Sequence, residues 1–183
     1  MPSAFTHAAA ALALGTAFAE RETPVRFWVL GAVCAALPDL DVVAFKLGIP
    51  YEHVLGHRGL SHSLPIAAVL ALLVVLVFFR GGAAREKRWR LWWFFFLATA
   101  SHGVLDAFTN GGLGVAFFAP FDDRRFFFPA HPIQVSSVDP LRFFSQRGLA
   151  VLKSELLWVW APAAAFAGGV LALRRRPWRR VDD

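Results

Sequence analysis

Residues 64–79 read LPIAAVLALLVVLVFF. This is the purest apolar run in the chain, without a single charge, and Ser63 ahead of Leu64 and Pro65 fits an N-cap. A helix that crosses a bilayer needs about 20 apolar residues, in a range of roughly 17 to 25. The run reaches that length once its flanks are counted. Four more apolar segments lie around it. Residues 91–108 are rich in aromatics and carry His102 and Asp106. Residues 156–173 are followed at once by Arg174, Arg175 and Arg176. Both read as spans in the same way. Residues 4–19, rich in alanine, and the shorter 25–37 are marginal as spans and read as half-buried helices of the same bundle.

Composition supports a bilayer as the solvent. Of 183 residues, 57% are apolar and only 17% charged, against about 25% charged in soluble domains. Mean hydropathy is +0.50. The 19 Phe and 7 Trp supply more apolar surface than a chain of this size can bury. A disordered tail, a fibrous protein and an ordinary cytosolic enzyme are excluded. The net charge of +6 does not point to nucleic acid, because five basic residues fall in 80–90 and five in 174–180, directly after apolar runs. That is where juxtamembrane anchors sit. Cys34 is the single cysteine, so there is neither a disulfide framework nor a cysteine-based zinc site.

The fold predicted is all-α: one membrane-embedded domain over 1–183, built as a bundle of about five helices. An irregular loop at 109–155 would lie outside, with a basic cytoplasmic tail at 174–183. The loop holds Gly111, Gly112, Gly114, Pro120, Pro129, Pro132 and Pro140. It also holds Phe117, Phe118, Phe121, Phe126, Phe127, Phe128, Phe143 and Phe144. It either lies in the headgroup layer or folds over the helix ends. Residues 1–19 lack the basic start of a signal peptide and contain Pro2 and His7, so they read as a retained helix. If all five segments span, one side receives 12 Lys and Arg and the other 7 in much longer loops. Positive charges favour the cytoplasm, which places the C-terminus there.

The chemistry lies in polar residues that interrupt the apolar runs. These are His7, the pair Asp39 and Asp41 in Pro38-Asp39-Leu40-Asp41, and His57, Arg58, Ser61, His62 and Ser63 just before residue 64. His102 and Asp106 stand four apart, on one helical face. An ionisable group inside a membrane segment is costly, which makes it a functional candidate. The alternation of helices brings His7, Asp39, Asp41, His57, His62, His102 and Asp106 to one side of the membrane. Imidazoles mixed with carboxylates suit zinc, with manganese or iron less favoured. Taken singly, His7 fits a packing histidine and Asp39 or Asp41 a turn carboxylate. His53 and His131 read as surface residues. His57 and His62, five apart, share no helical face, so a loop must present them.

With these residues in place, the chain resembles the YdjM-type family of bacterial inner-membrane proteins, described as candidate metal-dependent hydrolases. The resemblance rests on Thr6-His7, Pro38-Asp39-Leu40-Asp41, His57-Arg58-Gly59-Leu60-Ser61-His62-Ser63, Ser101-His102-Gly103-Val104-Leu105-Asp106, Thr109-Asn110-Gly111-Gly112 and the stretch Pro120 to Pro129. It covers nearly the whole chain. The order of His and Asp residues is also distantly similar to the all-helical zinc-dependent phospholipase C and single-strand nuclease superfamily. That likeness implies His7, Asp39, one or both of His57 and His62, His102 and Asp106 as metal ligands. The chain lacks that group's N-terminal Trp ligand and its later His-x-x-x-Glu helix, so one or two ions are expected rather than three.

The mechanism these likenesses imply is hydrolysis by a metal-activated water. Asp41, or whichever carboxylate is left uncoordinated, would act as general base. Arg58 and the Arg124–Arg125 pair would hold a phosphate, whose geometry guanidinium matches. The pair fits an interface anchor equally well. The substrate class implied is a phosphoester or a lipid-linked ester, in contact with the lipid bilayer and with no nucleic acid. Two rivals stay open. One is a metal-binding or metal-permeating membrane protein without hydrolysis. The other is a structural or partner-binding protein whose polar cluster only ties helices together.

Overall fold

A computed structural model describes residues 1–136 and 145–175, without the side chains of residues 83, 84 and 175. Pro140, Arg142, Phe143, Phe144 and the basic residues of 176–183 lie outside the described residues. The helices are α1 (Ala4–Phe18), α2 (Val25–Ala36), α3 (Val43–Lys46), α4 (Leu64–Phe78), α5 (Gly82–Glu86), α6 (Arg88–Ala107), α7 (Gln146–Glu155) and α8 (Ala161–Arg175). Five main bodies result, with α7 and α8 counted as one. Among the described residues there is no strand, only the isolated bridges Thr109–Ile133 and Val115–Phe126.

Local chemistry explains the boundaries. Ser63 caps α4 by accepting from the Ile66 N–H at 3.3 Å, and Pro65 occupies the first turn, where its missing N–H is harmless. Pro38 has no N–H to continue the ladder of α2, so the chain tightens into a 3-10 turn, Leu37–Val42, and resumes as α3. This continuation makes Val25–Lys46 a single stretch of 22 residues, apolar and long enough to cross a bilayer. The second such stretch is Gln146–Arg174. Helices α1 and α4 are apolar but only 15 residues each, about 22 Å at 1.5 Å per residue.

The last helical body starts at Gln146, earlier than the apolar pattern from Leu156 indicates. Ser145 caps α7 through the Gly148 N–H, and the buried Gly148, Val151 and Glu155 follow the three-to-four spacing of a helix face. A π turn at Leu156–Trp160 joins α7 to α8.

Helix α6 is the centre. It packs on α1, α2 and α4, while α8 packs on α1. The core is Ala11, Phe27, Cys34, Ala35, Ala71, Val74, Val75, Phe79, Phe94, Phe95 and Ala98. The ring of Phe94 stacks on Phe27 at 4.0 Å and presses on Gly31, where a Cβ would come within 2.5 Å of it. Alternating chain direction then gathers the start of α1, the end of α2, the start of α4 and the end of α6 at one end of the bundle.

Residues 109–136 fold over that end. The Leu64 N–H donates to the Phe117 carbonyl, Ala116 to Arg58, Phe128 to Ala107 and Ser136 to Met1. Phe118, Phe121 and Phe127 remain exposed on the outer face of the loop.

Candidate metal centre

Four elements deliver the cluster. Helix α1 brings His7, the 3-10 turn after α2 brings Asp39 and Asp41, the turn Leu60–His62 brings His62, and α6 brings His102 and Asp106. That last turn can lie against α6 because residue 103 is glycine. A Cβ there would stand 2.9 Å from the His62 carbonyl oxygen.

Asp39, His62, His102 and Asp106 are all buried, and one ligand atom from each lies within 4.8 Å of the others. His102 offers Nε2, 3.2 Å from Asp39 Oδ1, while its Nδ1 stands 2.6 Å from the Ala35 carbonyl. That carbonyl can only accept, so it fixes the proton on Nδ1 and leaves Nε2 bare for a metal. His62 Nε2 sits 3.5 Å from Asp106 Oδ2 and 3.8 Å from Asp39 Oδ1. Its Nδ1 turns to Asp41 Oδ2 at 3.1 Å and Ser61 Oγ at 2.9 Å. His7 stacks on His102, with Nε2 3.8 Å from Asp106 Oδ1.

Asp41 is a hub. It accepts from the Ser61 hydroxyl at 2.5 Å and the Arg58 N–H at 3.1 Å, and holds His57 Nδ1 at 2.6 Å. Asp41, His57 and His62 form a second close group that shares His62 with the first.

Arg58 is fully enclosed. Its φ of 62° places it in the left-handed region, an uncommon conformation for a non-glycine residue that its side-chain contacts hold in place. It donates to the Gly111 carbonyl at 2.7 Å and to Thr109 Oγ1 at 3.0 Å. Its Nε lies 2.9 Å from Asp106 Oδ2, an ion pair that is not aligned as a hydrogen bond.

The donor set fits a divalent ion. Among the described residues, eight buried side-chain nitrogen and oxygen atoms lack a hydrogen-bond partner, and seven belong to His7, Asp39, Arg58, His62 and Asp106. Buried polar groups left unpaired cost several kcal/mol, on the order of 1–3 each, unless something else satisfies them. The electrostatics of His62 point the same way. Burial pushes it down, but Asp106, Asp39 and Asp41 outweigh burial and raise it to about 10. The carboxylates thus hold a positive charge where a cation fits.

Two other residues noted in the sequence have partners of their own. Arg124 is exposed and pairs with Asp122 at 2.6 Å. Arg125 donates to the carbonyls of Tyr51, His53 and His57, pinning residues 51–57 over the site. His53 and His131 are exposed.

The sequence reading passed over Glu155. This buried carboxylate accepts from the Ser3 N–H at 2.5 Å, the Ser3 hydroxyl at 2.8 Å and the Thr6 hydroxyl at 2.7 Å. Trp160 Nε1, brought round by the π turn, also donates to Thr6 Oγ1 at 2.7 Å. Together they clamp the start of α1 beside His7. A lone carboxylate abutting an apolar run was the available signal.

A buried His/Asp group at one end of an apolar helical bundle defines a membrane protein with a candidate metal centre. The chain belongs to the YdjM inner membrane protein family, matched over residues 1–178. It is similar to inner membrane protein YbcI of Escherichia coli (strain K12), 39% identical over 180 residues that span 98% of this chain and 99% of that one. No solved structure matches it.

Proposed function

We propose that the chain is a membrane-bound metal-dependent hydrolase. Asp39, His62, His102 and Asp106 would hold the ion, with His7 beside them and zinc favoured by the mixed imidazole and carboxylate donors. The observation that carries this reading is the convergence of four buried ligand atoms with so many unsatisfied atoms among them. A merely structural polar cluster would also satisfy the two nitrogens of His7 and Oδ2 of Asp39, which have no hydrogen-bond partner among the described residues.

A bound divalent ion supplies an acidified water and a polarised ester oxygen. The chain's own residues do the rest. Ala35 and Asp41 fix the orientations of His102 and His62. Asp41 and His57, at 2.6 Å, form the carboxylate–imidazole pair that takes the proton. Arg58 offsets the charge of Asp106 and holds it in place. The substrate class is a phosphoester, water-soluble or lipid-linked. The exposed Arg124 can exchange its half-buried Asp122 partner for a phosphate, while Arg125 keeps the 51–57 loop closed. Charge distribution supports a cytoplasmic C-terminus and a site facing the extracytoplasmic side.

One observation favours metal binding without hydrolysis: all four ligands are buried, which restricts the access of water and substrate to an ion there. Protein purified in lipid, analysed for metal and assayed on a phosphodiester and a phosphomonoester with and without chelator, decides between the two. The hydrolase reading expects turnover that chelator abolishes and that Asp39→Asn lowers together with metal content. Stoichiometric metal without cleavage of either ester favours the binding reading.

A further inference from the structure

At the far end of the bundle from the His/Asp cluster, a cleft of about 290 Å³ opens between α1, α2, α4 and α6. Its inner wall is apolar, formed by Phe18, Phe27 and Phe79. Its rim carries Arg26, Lys87 and Arg90 together with the carboxylates Glu20 and Glu22. The Arg26 guanidinium lies over the Phe79 ring, 5.0 Å from its centroid, and among the described residues it has no ion-pair partner. Lys87 and Arg90 both reach Glu20, Arg90 at 2.7 Å. Glu20 is itself 43% exposed, so these contacts exchange readily. Beside the cleft, Arg174 donates to the carbonyls of Ala17 and Ala19 at the end of α1 and adds to the positive field.

We propose that this cleft binds the headgroup of an anionic phospholipid. The phosphate sits among Arg26, Lys87 and Arg90, and the glycerol and first acyl carbons lie on Phe18, Phe27 and Phe79. Guanidinium offers a planar fork to phosphate oxygens. Basic pockets between membrane helices take anionic headgroups for this reason. The aromatic wall separates lipid from free anion, because inorganic phosphate leaves it wet and unused. Lys87 and Arg90 are shared with Glu20, so Arg26 is the cation that separates an anionic headgroup from phosphocholine, whose own cation opposes it. The site is remote from His102 and independent of any hydrolysis there.

Native mass spectrometry of the detergent-solubilised protein tests this, with dioctanoyl phosphatidylglycerol, dioctanoyl phosphatidylcholine and inorganic phosphate as separate probes. One phosphatidylglycerol should be retained per chain, at least about tenfold more tightly than phosphatidylcholine, and excess phosphate should not displace it. Arg26→Gln and Lys87→Gln should each weaken it at least about fivefold. Arg85→Gln, outside the cleft, should not. Circular dichroism confirms that each variant is folded. Equal retention of the two lipids, or undiminished retention in Arg26→Gln, overturns the proposal. Inorganic phosphate binding as tightly as phosphatidylglycerol overturns it too, in favour of a free anion.

Discussion

The imidazoles of His7 on α1 and His102 on α6 lie face to face, 3.6 Å between ring centroids and 12° from parallel. Neither nitrogen of His7 has a hydrogen-bond partner among the described residues. The stack therefore holds His7 by its ring and leaves its nitrogens free for the centre. His7→Phe keeps a ring against His102 and removes the nitrogens. Its thermal unfolding should stay near wild type while zinc affinity, read by competition with a chromophoric chelator, falls at least about 10 to 100-fold. Unchanged affinity would make His7 a packing residue only.

Asp106→Asn is nearly isosteric and would ordinarily spare the fold. Here the carboxylate also balances the buried Arg58 guanidinium 2.9 Å away. Stranding a buried charge costs about 3–5 kcal/mol. The variant should lose metal and also unfold at clearly lower temperature in detergent. Arg58→Met combined with Asp106→Asn should recover much of that stability and none of the metal. If the single variant unfolds like wild type, the ion pair contributes nothing to the fold.

Gly103→Ala tests the approach of the His62 turn to α6. The added Cβ meets a backbone oxygen at 2.9 Å, so the turn itself must move. Circular dichroism should show α6 intact, since alanine favours helix. Metal affinity should drop because His62 is displaced from Asp39 and Asp106. Wild-type affinity would show that the turn shifts freely without harming the site.

Glu155→Gln removes a buried charge that serves three donors. The amide can still accept, but only at one oxygen. A loss of about 1–3 kcal/mol in unfolding free energy is expected. Metal affinity should weaken as well, because α1 is then less firmly held beside His7. Full retention of both would mean that α7 and Trp160 suffice to fix α1.

The excess of basic residues at 20–26, 80–90 and 174–180 predicts the C-terminus in the cytoplasm. A reporter active only in the periplasm, fused after Asp183, should stay silent. Activity from it would turn the bundle over and move the His/Asp cluster to the cytoplasmic face.

The apolar runs gave five helical bodies legibly, because a stretch such as 64–79 has no polar face to confuse its reading. Boundaries were harder. The break after α2 follows from Pro38, but its continuation as a 3-10 turn and α3 depends on packing that no local pattern records. The start at Gln146 was hidden because α7 is amphipathic rather than apolar, and Glu155 was missed with it. At the site, His102 and Asp106 were plain from their spacing of four. The roles of Arg58 and Arg125 were not, since both are defined by distant carbonyls and carboxylates: Gly111, Asp106, Tyr51 and His57. Charge alone suggests phosphate binding for either residue, and only tertiary contact shows where the guanidinium is already engaged.

Between the His/Asp cluster at one end and the cationic cleft at the other stands the packed layer of Phe27, Phe94, Phe95 and Ala98. Such a layer is an insulator: hydrated ions do not cross closely packed rings and methyls. An ion held by the proposed centre would therefore be loaded from the end of the bundle at which the cluster lies. The metal supply and acidity at that end would govern its loading, and the far end of the bundle could influence it only through the shape of the bundle.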